Sequence, residues 1–194
     1  KRQLDIVDGA LECMDDTEDL REVMKVCVDR CYSMSRFITN FANVVKIPEP
    51  QLQLVSLNDR VAACKMFMET VCRNRNITLH LTLCDENPHV RMDTSLFEQV
   101  LVNIIKNAAE SIGEEGNIFI RTSVFPTMLE IADTGAGISK EVEAKLFSPF
   151  FSTKPNGQGI GLIFIREVLM KHGCTFSLRT YSDGLTRFRI RFSA

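Results

Sequence analysis

The sequence predicts an α+β fold: a two-layer α/β sandwich preceded by one long helix. Three observations carry that expectation. From Asp16 to about Lys46 there is no proline or glycine, and apolar residues recur at helical spacing. After "IPEP", helical and alternating segments take turns to the end of the chain. The alternating segments fit a mostly antiparallel sheet with helices packed on it as a second layer.

In the first segment the repeating apolar positions are Leu20, Val23, Met24, Cys27, Cys31, Met34, Phe37, Ile38, Phe41, Val44 and Val45. A helix of ~30 residues is ~45 Å long, more than a small core needs. It reads either as a long core helix or as half of a helical hairpin that pairs with another chain. Pro48 and Pro50 end it and mark a domain boundary, so that residues 1–50 form one region and 51–194 a second.

In the second region Ser56 or Asn58 caps a helix running to about Asn74, and "NITLHLTL" alternates as a strand. Asp93 or Ser95 caps a helix from about Ser95 to Ile112. Strands follow near Asn117–Val124 and Met128–Asp133, then a helix from about Gly159 to Lys171, then strands in "CTFSLRTY" and "TRFRIRFS". In the last of these Phe188, Ile190 and Phe192 share one face, and Arg187, Arg189 and Arg191 the other. The arginine row suits a polyanion, although an exposed strand face is its plainer reading.

Hydrophobic residues make up 45% of the chain and charged residues 25%, which suggests neither disorder nor a membrane span. A net charge of −2 provides no general attraction to nucleic acid or anionic lipid, so any phosphate binding must be local. The seven cysteines are odd in number and contain no CxxC pair. They are read as reduced thiols in a cytosolic compartment rather than as a disulfide framework or metal site. Because the chain opens "KRQLDIVDGAL" without an initiating Met, it is read as a fragment of something larger.

Three motifs carry chemistry. In "EQVLVNIIKNAAESI", Asn103 and Asn107 are four residues apart and share a helix face. Two neutral oxygen donors there could complete the shell of a Mg²⁺ that takes its charged ligands from phosphates, though two exposed helix asparagines look the same. In "LEIADTGAGI", Asp133 ends a strand, and Gly135 and Gly137 let the backbone approach a flat ligand. Its carboxylate could accept from an exocyclic amine such as that of adenine, or simply form an Asx-turn. In "GQGIGL", Gly157, Gly159 and Gly161 enter a helix whose unhindered N–H groups and dipole attract phosphate oxygens.

Taken in order, these motifs resemble the ATP-binding catalytic domain of sensor histidine kinases, within the GHKL superfamily that includes DNA gyrase, mismatch-repair and heat-shock ATPases. The likeness covers the N box (Asn103 to Asn107), the first glycine box (Asp133, Gly135, Gly137), the F box (Phe147, Phe150) and the second glycine box (Gly157, Gly159, Gly161). "FSPFFSTKPNGQGIGL" is especially similar to nitrogen-regulatory and related two-component kinases. The resemblance implies the Bergerat-type α/β sandwich from about Ser56 onward. It also implies a dimerisation and phosphotransfer hairpin, of which residues 1–50 retain a part, with Lys1–Glu12 as the tail of a first helix.

Residue by residue, the resemblance implies that Asn107 and Asn103 serve Mg²⁺ and the phosphates of ATP, while Asp133 binds the adenine amine. Gly135 and Gly137 would shape the pocket, and Lys154 with Gly157, Gly159 and Gly161 would hold phosphates. Phe147, Phe150, Thr153 and Leu162 complete the cofactor-binding set. Residues from about Thr134 to Gly157 would form a lid that orders on ATP.

Hydrolytic members carry a glutamate base at the position of Asn103, and an amide cannot take a proton from water at neutral pH. The expected activity is therefore phosphoryl transfer to a protein histidine, with weak hydrolysis. His80, His89 and His172 all lie in the catalytic region and outside any acceptor motif, so the fragment is not expected to phosphorylate itself. The partners implied are a response regulator receiver domain and a second copy of the chain through the N-terminal helices. Neither nucleic acid nor direct membrane contact is expected. The setting is cytoplasmic, whether or not upstream segments anchor a longer parent. The rival readings are a hydrolytic ATPase of the same superfamily and a non-catalytic nucleotide-binding module.

Overall fold

The computed structural model describes residues 17–45, 47–148, 151–153 and 159–193. The chain divides into two compact units, Lys1–Val45 and Lys46–Ala194. The described part of the first is a single helix, α1 (Thr17–Val45), within a residue of the expected span. Leu20, Met24, Val26, Val28, Tyr32, Met34 and Ile38 are exposed along it. The expected first-helix tail at Lys1–Glu12 lies outside the described residues.

The second unit opens with β1 (Gln53–Ser56), followed by α2 (Leu57–Arg73), β2 (Ile77–Thr82), β3 (His89–Met92) and α3 (Thr94–Ile112). Strands β1 and β3 pair antiparallel, from Gln53 opposite Met92 to Ser56 opposite His89. Each has four residues, too few for an alternation to stand out in the sequence.

Both helix starts are built on side-chain caps. Ser56 Oγ accepts the Asp59 N–H at 3.1 Å, and the Ser56 hydroxyl donates to Asn87 Oδ1 at 2.6 Å. Asp93 Oδ1 accepts the Leu96 N–H at 3.1 Å, while its Oδ2 accepts the Gln51 N–H at 2.9 Å. Removing the first cap by Ser56→Ala is expected to cost about 1 kcal/mol, read as a lower denaturation midpoint with an unchanged slope.

Next come β4 (Gly116–Val124), β5 (Thr127–Asp133), the short α4 (Lys140–Glu143), α5 (Gly161–Lys171), β6 (Thr175–Thr180) and β7 (Thr186–Arg191). Five strands form one sheet in the order β2-β4-β5-β7-β6. Only β2 and β4 run parallel, and α3 lies in the connection between them. The other pairs are antiparallel, as expected for most of the sheet.

One sheet face is apolar: Ile118, Ile120, Leu129, Ile131, Phe188 and Ile190 are all buried. Facing it are buried residues of the helices, among them Leu101 and Ile105 on α3 and Ile165 and Leu169 on α5. Burying each such side chain contributes about 1.5–3 kcal/mol. Helix α3 contacts both α2 and α5, so it is the centre of the helical layer.

The opposite sheet face corrects one sequence reading. The arginines of β7 are not a plain exposed row, because Arg187 and Arg189 converge on Glu130, itself buried. Arg189 Nε donates to Glu130 Oε2 at 2.7 Å, and Arg187 pairs with Asp183. Both guanidiniums also lie over the Tyr181 ring, at 4.9 and 4.7 Å from its centroid. Glu130 of the neighbouring β5 and Asp183 of the turn before β7 supply the countercharge, which no single-strand pattern reveals.

Candidate functional site

Asp133 is the last residue of β5, held between Ile118 of β4 and Thr186 of β7. Central strands on both sides leave it only 7% exposed. Its Oδ1 accepts the Gly135 N–H at 2.9 Å, which is the Asx-turn expected as the structural alternative. One backbone donor does not offset the loss of water. Burial pushes the carboxyl up to about 6, against a smaller lowering by that hydrogen bond.

The turn after Asp133 is pressed against the end of α3. A Cβ on Gly135 would sit 2.3 Å from Ser111 Oγ and 2.8 Å from the Ser111 carbonyl carbon. The Ala136 N–H donates to Ser111 O at 3.2 Å, and the Ile138 N–H to Thr180 Oγ1 at 2.7 Å. Gly137 has φ +79°, a conformation that side chains rarely adopt. The first glycine pair is therefore explained by close approach at one position and backbone sign at the other.

Eight residues back along α3, Asn103 meets the second glycine cluster. Its Nδ2 donates to Gln99 O at 2.8 Å, which fixes the amide. Its Oδ1 lies 3.6 Å from where a Cβ on Gly161 would stand. Asn107 follows one turn later, half-buried on the same helix. Gly161 opens α5 with no side-chain cap, and Gly159 just before it has φ +63°. Leu162 is half-buried in the first turn of α5.

Helix α3 thus meets both glycine clusters, the turn after Asp133 through Ser111 and Gly161 through Asn103. Phe147 packs edge-on against Phe176 at 5.2 Å between ring centroids, and Thr153 is exposed. Phe150, Lys154 and Gly157 lie outside the described residues.

The donor set suits Mg-ATP. A buried carboxylate with a backbone donor on one oxygen fits an exocyclic amine, uncapped helix N–H groups fit phosphate, and a neutral amide oxygen fits a hydrated Mg²⁺. Sequence reasoning missed Ser111, Thr180 and Thr186. Thr180 and Thr186 face each other at 2.9 Å across the β6–β7 pair and support the turn after Asp133. No motif singles out hydroxyls that act through such pairing.

A family model described as "Histidine kinase-, DNA gyrase B-, and HSP90-like ATPase" matches residues 92–194, just over half of the chain. The chain belongs to this family. The described site lies within the matched residues, and the ATPase-family fold is a mixed α/β sandwich like the one above.

Among curated proteins, the ATPase-family chain is similar to the sensor histidine kinase ZraS of Escherichia coli strain K12. The two are 29% identical over 165 residues, which span 84% of this chain and 35% of that protein. The chain therefore spans about a third of the length of such relatives. It is also similar to the solved catalytic domain of the histidine kinase ThkA, at 27% identity and a TM-score of 0.66, over 73% of this chain and 95% of that one. A second ThkA structure, in complex with the response regulator protein TrrA, shares the fold at 23% identity, with a TM-score of 0.71 over 97% of this chain and 56% of that one. Among the described residues no helix is long and apolar enough to cross a membrane.

Proposed function

We propose that this chain is the catalytic portion of a sensor histidine kinase that binds Mg-ATP and passes the γ-phosphoryl to a histidine outside the fragment. The observation that carries the reading is Asp133. It is a buried carboxylate at a strand end, next to a glycine turn that packs against α3, the helix that also bears Asn103.

In this reading Asp133 accepts the adenine amine, and Gly135 and Gly137 bring the backbone against the base. Asn103 and Asn107 orient the metal and phosphates, and the N-terminus of α5, with Gly157, Gly159, Gly161 and Lys154, holds phosphate oxygens. Phe147, Phe150, Thr153 and Leu162 border the nucleotide. When bound, Mg²⁺ supplies charge neutralisation of the phosphates. Asn103 lacks the basicity to activate water, which favours transfer over hydrolysis.

Residues 1–50 act as part of a dimerising hairpin in this proposal, and the exposed apolar positions along α1 are what a second copy would cover. A response regulator takes the phosphoryl onward; the ThkA–TrrA complex supports that partner class. The domain works in the cytoplasm.

The test is displacement of a fluorescent ADP analogue by ATP with and without Mg²⁺, alongside a multiple-turnover phosphate-release assay. Mg-dependent displacement with little phosphate release is expected. Rapid turnover would favour a hydrolytic ATPase, and absence of displacement would favour a non-catalytic module.

A further inference from the structure

The chain leaving the first glycine pair is laced to β6 along its length. Ile138 is tied to Thr180, Glu143 pairs with Arg179 at 2.7 Å, and Phe147 packs on Phe176. Those three partners lie on β6, the strand at one end of the sheet order. Phe176 in turn stacks on buried Phe188, at 6.3 Å and 11° between planes, which carries the contact into the core.

One tie comes from elsewhere. On α5, Arg166 directs Nη1 to the Phe147 carbonyl at 2.9 Å. The rest of its guanidinium is held by Glu167, whose Oε1 accepts from Nε at 3.0 Å and from Nη2 at 2.7 Å. An arginine fixed on one edge by a carboxylate presents its remaining N–H groups in a set direction. Phe147 follows Leu146, which is itself buried.

We infer that Arg166 is a positioning residue that clasps the Phe147 carbonyl to α5 and thereby fixes residues 145–148 beside the proposed nucleotide site, with Glu167 aiming the clasp. The consequence for nucleotide rests on the ATP reading above; the clasp itself does not. Arg166 and the N-terminus of α5 belong to one helix. A change in the position of that helix is thus passed to the Phe147 segment through a charged hydrogen bond.

The test is hydrogen exchange at the amides of residues 145–148 in the nucleotide-free chain, for the unmutated protein, Arg166→Met, Arg166→Lys and Glu167→Gln. Met keeps the apolar stem without donors, so exchange there should rise about tenfold while α3 amides and the melting temperature stay as they were. Lys restores one donor and should recover most of the protection, whereas Glu167→Gln should fall between. Dissociation of a fluorescent ADP should also quicken about tenfold in Arg166→Met.

Unchanged exchange at 145–148 in both Arg166→Met and Glu167→Gln overturns the inference. If Arg166→Met fails to fold, Glu167→Gln decides alone. Raised exchange in a chain that binds no nucleotide even unmutated supports the clasp and overturns the ATP reading instead.

Discussion

Asp133→Asn is expected to weaken ATP binding by one to two orders of magnitude while making the nucleotide-free domain more stable near pH 7.5. The two effects have one cause. A charge-assisted hydrogen bond to the adenine amine is worth about 1.5–3 kcal/mol, and the amide that replaces the carboxylate cannot supply it.

Without nucleotide the carboxylate is a burden. Its pKa rises from 3.8 to about 6 on folding, so below pH 3.8 both states hold the proton and there is no cost. Between there and about 6 the unfolded chain releases its proton first, and stability falls as pH rises. Above about 6 the full cost, on the order of 3 kcal/mol, is present. The mutant should therefore lose most of this acid-side gain in stability. The same titration predicts that ATP affinity of the unmutated chain declines as pH drops through about 6, and that Asp133→Asn flattens the decline. Fluorescent-ADP displacement from pH 5 to 8, paired with thermal melts, reads all three. A mutant that binds as tightly as the original would remove Asp133 from the adenine site.

Gly135→Val should abolish nucleotide binding and destabilise the domain by about 1–3 kcal/mol. Its Cβ would fall 2.8 Å from the Ser111 carbonyl carbon, a backbone atom, so rotation of a side chain does not relieve the overlap. Either the C-terminal turn of α3 or the turn after Asp133 must retreat, and the latter carries the carboxylate with it. Gly137→Val should be milder, since the nearest atoms lie at 3.3 Å and the penalty comes mainly from φ +79°. A chemical denaturation series with nucleotide titration separates the two; equal losses at both positions would contradict the packing argument.

Most of the fold was legible because its elements are long and strongly patterned. The helix around Asn103 and the strand ending at Asp133 announce themselves by period, cap and breaker. What escaped is four residues long or depends on a neighbour. β1 and β3 hold each other, α4 is a single turn capped by Ser139, and Arg187 and Arg189 are neutralised by a glutamate of another strand. At the site, chain order pointed to the glycines and asparagines. The supports at Ser111, Thr180, Thr186 and Arg166 exist only once strands and helices are in register, so no linear pattern carries them. Helix α5 also starts at Gly161 rather than Gly159, because φ +63° at Gly159 is incompatible with a right-handed helix.

The span between the two glycine clusters begins and ends on one helix. Asn103 and Ser111 are eight residues apart on α3, roughly 12 Å at helical rise, and they mark where that span returns and departs. The entropy of closing such a loop grows only with the logarithm of its length, about 0.6 kcal/mol for each doubling. Two helical turns of α3 therefore set the distance between the two ends of that span, whatever the length of chain between them.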